Sequence, residues 1–156
     1  MKFEIPLPLR QEHEALHERL RLATQAAGEL GDAATTVARL MRPHFLKEDS
    51  IALPPLGLLV ALARGGVTPE MAQVLELTDQ LEAGLPEMLA EHGAIVEALQ
   101  KLSEVAQRAG RAEIVEFAQA LMQHARTEEE VMYPAAVLVG QVVRQRLGQQ
   151  APGRAG

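Results

Sequence analysis

The sequence EHEALHERL at residues 12–20 returns in altered form as EHGAIVEAL at residues 91–99. Each copy is followed by a second motif of the form His-x-x-x-Glu, first at residues 44–48 and then at residues 124–128. All five histidines of the chain fall inside these four segments. The chain is therefore a tandem repeat of one histidine-bearing unit.

Length and composition predict one helical domain. The chain has 156 residues, of which 47% are hydrophobic, and this is enough for a single compact core. Aromatic residues make up only 3% and there is no Trp, so we expect an aliphatic core made by helices. We assign residues 1–147 to this domain and expect the Gly-, Pro- and Gln-rich tail at 148–156 to be disordered. The absence of Cys excludes disulfides and thiolate metal sites.

Charge and hydropathy exclude two classes of partner. The net charge of −6, with no basic cluster, argues against binding of nucleic acid. The N-terminus lacks the apolar core of a signal peptide, so we expect a cytoplasmic location. The most apolar stretch, residues 51–63, is too short to span a bilayer and contains two prolines.

Apolar residues three and four apart predict the first helix pair. The first helix is expected from Leu9 to Glu29, with a turn at Gly31-Asp32 in which Asp32 caps the second helix. Apolar positions and the His-x-x-x-Glu motif continue to Ile51, and Pro43 should kink this second helix or restart it at His44.

A connector at residues 52–66 joins the two copies. It should hold a short apolar helix through Leu62 that stops at Gly65-Gly66. Thr68-Pro69-Glu70 predicts the start of a third helix, which Gly84 and Pro86 should bend or split and which ends at Gly110. The fourth helix carries a regular stripe: Ile114, Phe117, Leu121, His124, Glu128, Val131, Ala135 and Leu138. The periodicity predicts an all-α, antiparallel up-down four-helix bundle with a short extra helix in the connector.

Histidine and glutamate occupy positions where the stripes require apolar residues. A polar group left unpaired in such a core costs about 2 kcal/mol, and a bare charge costs far more. A metal site would satisfy all of them together, since a His and a Glu four apart on one helix face can bind the same ion. The candidate ligands are His13, His17, His44, Glu48, His92, His124 and Glu128.

Spacing predicts how these ligands meet. The midpoint of His13 and Glu48 is 30.5, and so is that of His17 and His44, while the midpoint of His92 and Glu128 is 110. Each helix pair would then present two layers of ligands around its own turn. His17 is the counterpart of Val96 in the second copy, so we predict that His17 fills a coordination position on one metal. The metal on the Val96 side should stay more open.

Five imidazoles and two carboxylates suit two ions rather than one, with Glu48 and Glu128 as bridges. Fe, Mn and Zn all accept such ligands, and the sequence does not choose among them. Taken singly, each histidine is also compatible with an ordinary packed side chain. Glu12 and Glu91 recur before each histidine and are candidates for hydrogen-bond partners of ligands, with a purely solvated role as the alternative. Asp49 and Glu129 are most simply solvated surface residues, with a second interpretation as reserve ligands. Tyr133 is assigned to packing.

The ordered set of Glu12-His13, His44-x-x-x-Glu48, Glu91-His92 and His124-x-x-x-Glu128 followed by EEVMYP resembles the hemerythrin-like, HHE cation-binding domain proteins. The resemblance covers residues 9–140. It implies a non-haem centre of two Fe ions in a four-helix bundle, with terminal histidines at 13, 44, 92 and 124 and bridging carboxylates at 48 and 128. The oxygen-carrying members have a pair of histidines four apart on the third helix, whereas this chain has Val96 there.

Three functions follow as hypotheses. The first is a di-iron protein, not assigned as an enzyme, that binds or senses O2, NO, peroxide or iron itself. The second is a di-iron oxidase or peroxidase, which is disfavoured because Glu14-x-x-His17 is the single Glu-x-x-His motif. The third is a structural bundle that holds zinc or no metal, with the apolar connector Leu56–Leu62 as a docking surface for a partner or a second copy.

Overall fold

The protein is an all-α bundle of helices, described by a computed structural model for residues 2–150. No strand occurs among these residues. The α-helices are α1 (Leu7–Thr24), α2 (Gly28–Lys47), α3 (Leu59–Ala63), α4 (Val74–Arg108), α5 (Ala112–Thr127) and α6 (Tyr133–Gln150). Helices α1, α2, α4 and α5 pack around a common core, and α6 continues the path of α5 along α4. The predicted fold class is confirmed.

Two short turns reverse the chain within the helix pairs. The second turn lies at Gly110, as predicted, where a φ of +67° suits glycine. The first was predicted at Gly31-Asp32, which is wrong, because α2 already begins at Gly28, which also has a φ of +67°. Gly31 lies inside α2, where a Cβ would come within 1.9 Å of the Ala26 carbonyl oxygen. That glycine therefore marks a close approach of the backbone rather than a turn.

Neither proline restarts or splits its helix, which were two of the predicted outcomes. Pro43 lies within α2 and Pro86 within α4, which continues unbroken for 35 residues past Gly84. The predicted start of this region is confirmed as a 3₁₀ turn at Pro69–Gln73, which leads directly into α4. Packing against the other helices compensates for the hydrogen bonds that each proline removes.

Two π-helical turns change the register of the bundle. They span Glu48–Ala52 and Glu128–Met132, so each begins at the glutamate of a His-x-x-x-Glu motif. A π turn contains about one residue more than an α turn, which rotates all later side chains. In consequence Met132 and Tyr133 are buried, whereas the predicted core residue Val131 is exposed. Leu138, also predicted on the buried stripe, is exposed for the same reason.

The apolar core is divided into layers that flank the histidines. One layer lies towards the two turns and includes Leu16, Met41, Ile95 and Leu121. A second layer lies beyond the histidines and includes Leu53, Leu81, Met88, Met132 and Tyr133. On each long helix the motif histidine falls between a residue of the first layer and one of the second. The polar residues therefore lie in one buried slab between the two apolar layers.

The connector contributes mainly to the chain's own core. Leu56, Leu58 and Leu62 are buried, and within this stretch Leu59 and Val60 are the large apolar side chains left exposed. Little of the predicted docking surface is therefore free. Of the predicted tail, residues 148–150 form the end of α6, and residues 151–156 lie outside the described residues. None of the described helices is both long and apolar enough to cross a membrane.

Candidate metal centre

Six of the seven predicted ligands meet in the buried slab between the apolar layers. None of the six is more than 4% exposed: His13, His44, Glu48, His92, His124 and Glu128. They come from α1, α2, α4 and α5 and from the first residue of each π turn. Four imidazoles and two carboxylates thus face one another in the interior, almost fully buried.

The first group lies between α1 and α5. The Nε2 atoms of His13 and His124 are 3.1 Å apart. Oε1 of Glu128 lies 3.3 Å from Nε2 of His13 and 2.7 Å from Nε2 of His124. These three ligand atoms lie close enough together to hold one cation.

The second group lies between α2 and α4. Nε2 of His44 is 3.1 Å from Oε1 of Glu48, and Nε2 of His92 is 3.2 Å from Oε2 of Glu128. Ligand atoms of these four residues lie within 4.8 Å of one another. Atoms bound to one ion at roughly 2.1 Å lie roughly 3 Å apart when adjacent and roughly 4.2 Å apart when opposite. The second group therefore also fits a single cation.

Both carboxylates face both groups. Glu128 directs Oε1 to the first group and Oε2 to the second. Glu48 directs Oε1 to the second group, and its Oε2 lies 3.9 Å from Nε2 of His13 in the first. Each carboxylate therefore has one oxygen on the side of each pair of histidines.

One buried atom tests whether a cation fits. Oε2 of Glu48 is fully buried and has no hydrogen-bond partner. A carboxylate oxygen that is left without a donor or a cation in such a place is costly. A cation in the first group would satisfy it, and the donor set of imidazole and carboxylate suits Fe, Mn or Zn. The buried cluster fits a metal site.

Each of the four buried histidines turns its Nδ1 towards an outer carboxylate. The pairs are His44 with Glu91 at 2.7 Å, His92 with Glu129 at 2.9 Å, His124 with Glu12 at 3.2 Å, and His13 with Asp49 at 3.4 Å. A carboxylate only accepts, so Nδ1 is the protonated nitrogen and Nε2 is left to face the interior. In the first group, Nδ1 of His13 and Nδ1 of His124 lie near their carboxylates but make no hydrogen bond with them.

The neighbouring carboxylates raise the pKa values of the four buried imidazoles. Burial opposes protonation of all four, but the contacts with Glu48 and Glu128 outweigh it and raise the pKa of each. The pKa of His92 reaches about 10. Burial likewise opposes ionisation of Glu128, but His124, His13 and His92 hold its pKa well below the usual range. Without a cation, a proton on His92 offsets the negative charge of Glu128.

A search against protein families matches the chain, over residues 7–136, to the family described as hemerythrin HHE cation binding domain. The match includes all six buried residues of the cluster. The chain belongs to the hemerythrin HHE cation-binding domain family. No curated protein and no solved structure matches it.

His17 lies apart from the cluster of this HHE domain. It is exposed, and its ring packs on Phe45 with centroids 3.7 Å apart. Partial burial and the neighbouring His13 lower its pKa, in contrast to the four buried histidines. The prediction rested on a turn at 30.5, and the actual turn lies earlier, between Thr24 and Gly28. The structure therefore brings six of the seven candidates together and leaves out this one.

Tyr133 of the HHE domain was assigned to packing, yet its hydroxyl reaches the second group. It donates a hydrogen bond to Oε1 of Glu48 and lies 3.2 Å from Nε2 of His92 and 3.5 Å from Nε2 of His44. Burial and the nearby carboxylates Glu48 and Glu128 raise the pKa of Tyr133, so the free phenol is neutral. A helical period of 3.6 places Tyr133 off the ligand face, and the π turn before it restores it to that face.

A cleft reaches the first group from solvent. It has a volume of about 1160 Å³ and lies between α1, α2 and the N-terminal segment. His13 is the member of the cluster that lines it, together with His17, Phe45 and Asp49. The open approach was expected at the metal beside Val96, which is on α4. The observed cleft lies on the α1 side instead.

Proposed function

We propose that this HHE domain holds two iron ions and binds a small ligand, O2, NO or peroxide, at the ion between His13 and His124. The observation that carries the proposal is the arrangement of the two carboxylates, each with one oxygen directed to each pair of histidines. A single ion would use only half of this donor set. Two divalent ions against two glutamates also leave a smaller net charge than two ions bound by imidazole alone.

The ligand position follows from access and from the count of donors. Each ion has four donors from the cluster, which leaves coordination positions unfilled on an ion that prefers six. The ion between His13 and His124 borders the cleft, which offers a path for a diatomic molecule or peroxide. Bound iron would supply reversible ligand binding and redox chemistry. The protein residues hold the ions, exclude bulk water and leave one side accessible.

The test combines metal analysis with optical spectra of the whole chain. The protein is loaded anaerobically with Fe(II), freed of excess metal, and its spectrum is recorded before and after exposure to air. We expect two irons per chain, ferric bands in the near ultraviolet after air, and a spectral change that saturates at one NO per chain. His13→Ala should lower the iron content, while the matched variant His17→Ala should keep two irons. A colourless protein that carries one zinc and rejects iron would overturn the proposal.

A further inference from the structure

The two copies differ at a buried position that lies outside the His-x-x-x-Glu motifs. Tyr133 lies nine residues after His124 and directly before Pro134. The corresponding residue of the first copy, nine after His44 and directly before Pro54, is Leu53. Both side chains are almost fully buried in the same apolar layer. At this equivalent position the second copy therefore carries a phenol oxygen, whereas the first copy carries only the methyl groups of a leucine.

The Tyr133 oxygen lies where a ligand of the second group would lie. It contacts Oε1 of Glu48 and is 3.2 and 3.5 Å from the Nε2 atoms of His92 and His44. Adjacent donors on one ion are separated by roughly 3 Å. The hydroxyl oxygen therefore lies at donor–donor spacing from three ligand atoms of the second group at once.

From this geometry we propose that Tyr133 is a direct ligand of the ion held by His44 and His92, and that it closes this ion to external ligands. The proposal rests on the two-ion function above. Coordination replaces the phenol O–H bond with a bond from oxygen to the cation, and the proton is released to the buffer. The hydrogen bond to Glu48 describes the protein without a cation; a cation reverses the local field and favours the phenolate.

This assignment gives the two ions different tasks. The ion between His44 and His92 has five donors from the chain and no opening to the cleft. The ion between His13 and His124 has four donors and borders the cleft, and the residue equivalent to Tyr133 in the first copy, Leu53, offers no donor. External ligands are therefore directed to one ion, on the side of His13.

The composition of the chain makes the test specific. Tyr133 is the sole tyrosine and there is no Trp, so any tyrosinate signal comes from this residue. Metal-free protein is titrated with Zn(II), and the ultraviolet difference spectrum is followed together with the amount of zinc bound. We expect a change in ultraviolet absorbance that corresponds to one phenolate per chain and grows as the ion beside Tyr133 is bound. The iron-loaded protein, after air, should show a visible tyrosinate-to-iron charge-transfer band.

Tyr133→Phe is the matched variant because it removes one oxygen and keeps the ring. This variant should still bind two ions. The ion beside residue 133 should lose at least about tenfold in affinity, and the phenolate difference and the charge-transfer band should both vanish. Two bound ions in the wild type without any phenolate signal would overturn the ligand assignment but leave the two-ion function intact. Failure to bind two ions would overturn both. If Tyr133→Phe does not fold, the wild-type titration decides the matter alone, since no other tyrosine contributes.

Discussion

The ring of His17 packs on the ring of Phe45 with centroids 3.7 Å apart, while Phe45 also lies 5.1 Å from the ring of His13. Phe45 thus separates an exposed histidine from a buried one that is only one helical turn away. The counterpart of Phe45 in the second copy is Ala125, so this contact has no equivalent there. It explains why two histidines on the same helix have different surroundings.

His17→Ala should leave the metal content unchanged. Its imidazole lies outside both groups, so its removal takes no donor from either ion. We expect two ions per chain in this variant and fewer in His13→Ala, measured by elemental analysis after removal of excess metal. Equal loss in the two variants would mean that His17 enters the shell when metal binds.

Glu128→Gln should weaken binding of both ions. Its two oxygens contact His13, His124 and His92, so the change removes a negative charge that both groups share. We expect affinity to fall by more than about 100-fold, beyond the loss typical of an outer partner. The control is Glu130→Gln, two residues away, whose carboxylate pairs with Arg126 on the surface. A loss confined to one ion, seen by competition with a chelator, would contradict the shared role.

The outer carboxylates of the two copies should differ in importance. Glu91 accepts a hydrogen bond of 2.7 Å from Nδ1 of His44 and is also paired with Lys47, whereas its counterpart Glu12 lies 3.2 Å from His124 without hydrogen-bond geometry. Glu91→Gln should therefore lower metal affinity by about 10- to 100-fold, and Glu12→Gln should lower it less. Parallel zinc competition titrations of the two variants measure the difference, and equal losses would be evidence against it.

The stability of the metal-free protein should fall at alkaline pH. The folded state raises the pKa of His92 from 6.5 to about 10, so its charged form is favoured by folding. This contribution is fully present below pH 6.5 and is lost as the pH rises through about 10. Melting temperatures measured from pH 6 to 10 should decline for the metal-free protein. The zinc-loaded protein should decline less, since its imidazoles are already deprotonated.

The close approach of α4 and α6 should tolerate no side chain at Gly140. A Cβ there would lie 2.2 Å from Oγ1 and 2.7 Å from Cβ of Thr78, and the latter atom cannot move away by a rotation of the side chain. Gly140→Ala should cost about 1–3 kcal/mol in the free energy of unfolding. Gly84→Ala, in the middle of α4 with nothing within 4 Å, should instead stabilise by about 0.5–1 kcal/mol. Urea denaturation of both variants tests this contrast.

The buried cluster could be predicted from sequence because its motifs are local. In His44-x-x-x-Glu48 and His124-x-x-x-Glu128 the α-helical period alone places both donors on one face. The midpoint argument also holds for the second helix pair, where the turn is at Gly110. In the first pair the turn lies earlier than the argument assumes, because Gly31 looks like a turn residue and serves a close backbone contact instead.

The residues beyond each glutamate could not be predicted in the same way. A constant period of 3.6 places Val131 in the core and Tyr133 off the ligand face, whereas Val131 is exposed and Tyr133 is buried. No residue type marks the π turn in advance, since the extra residue is stabilised by tertiary contacts. The prolines were also poor guides to the ends of helices, because α2 and α4 continue through Pro43 and Pro86.

The paired π turns also bear on the history of the chain. A wide turn is equivalent to one residue inserted into a regular helix, and here both begin at the equivalent glutamate, Glu48 and Glu128. Two separate insertions at matching places are a less economical explanation than one insertion in a shorter ancestor. The wide turn is then older than the duplication, and an ancestral unit that formed symmetric pairs would already have carried it. The difference between Leu53 and Tyr133, at the equivalent position nine residues after the histidine, would then have arisen after the duplication.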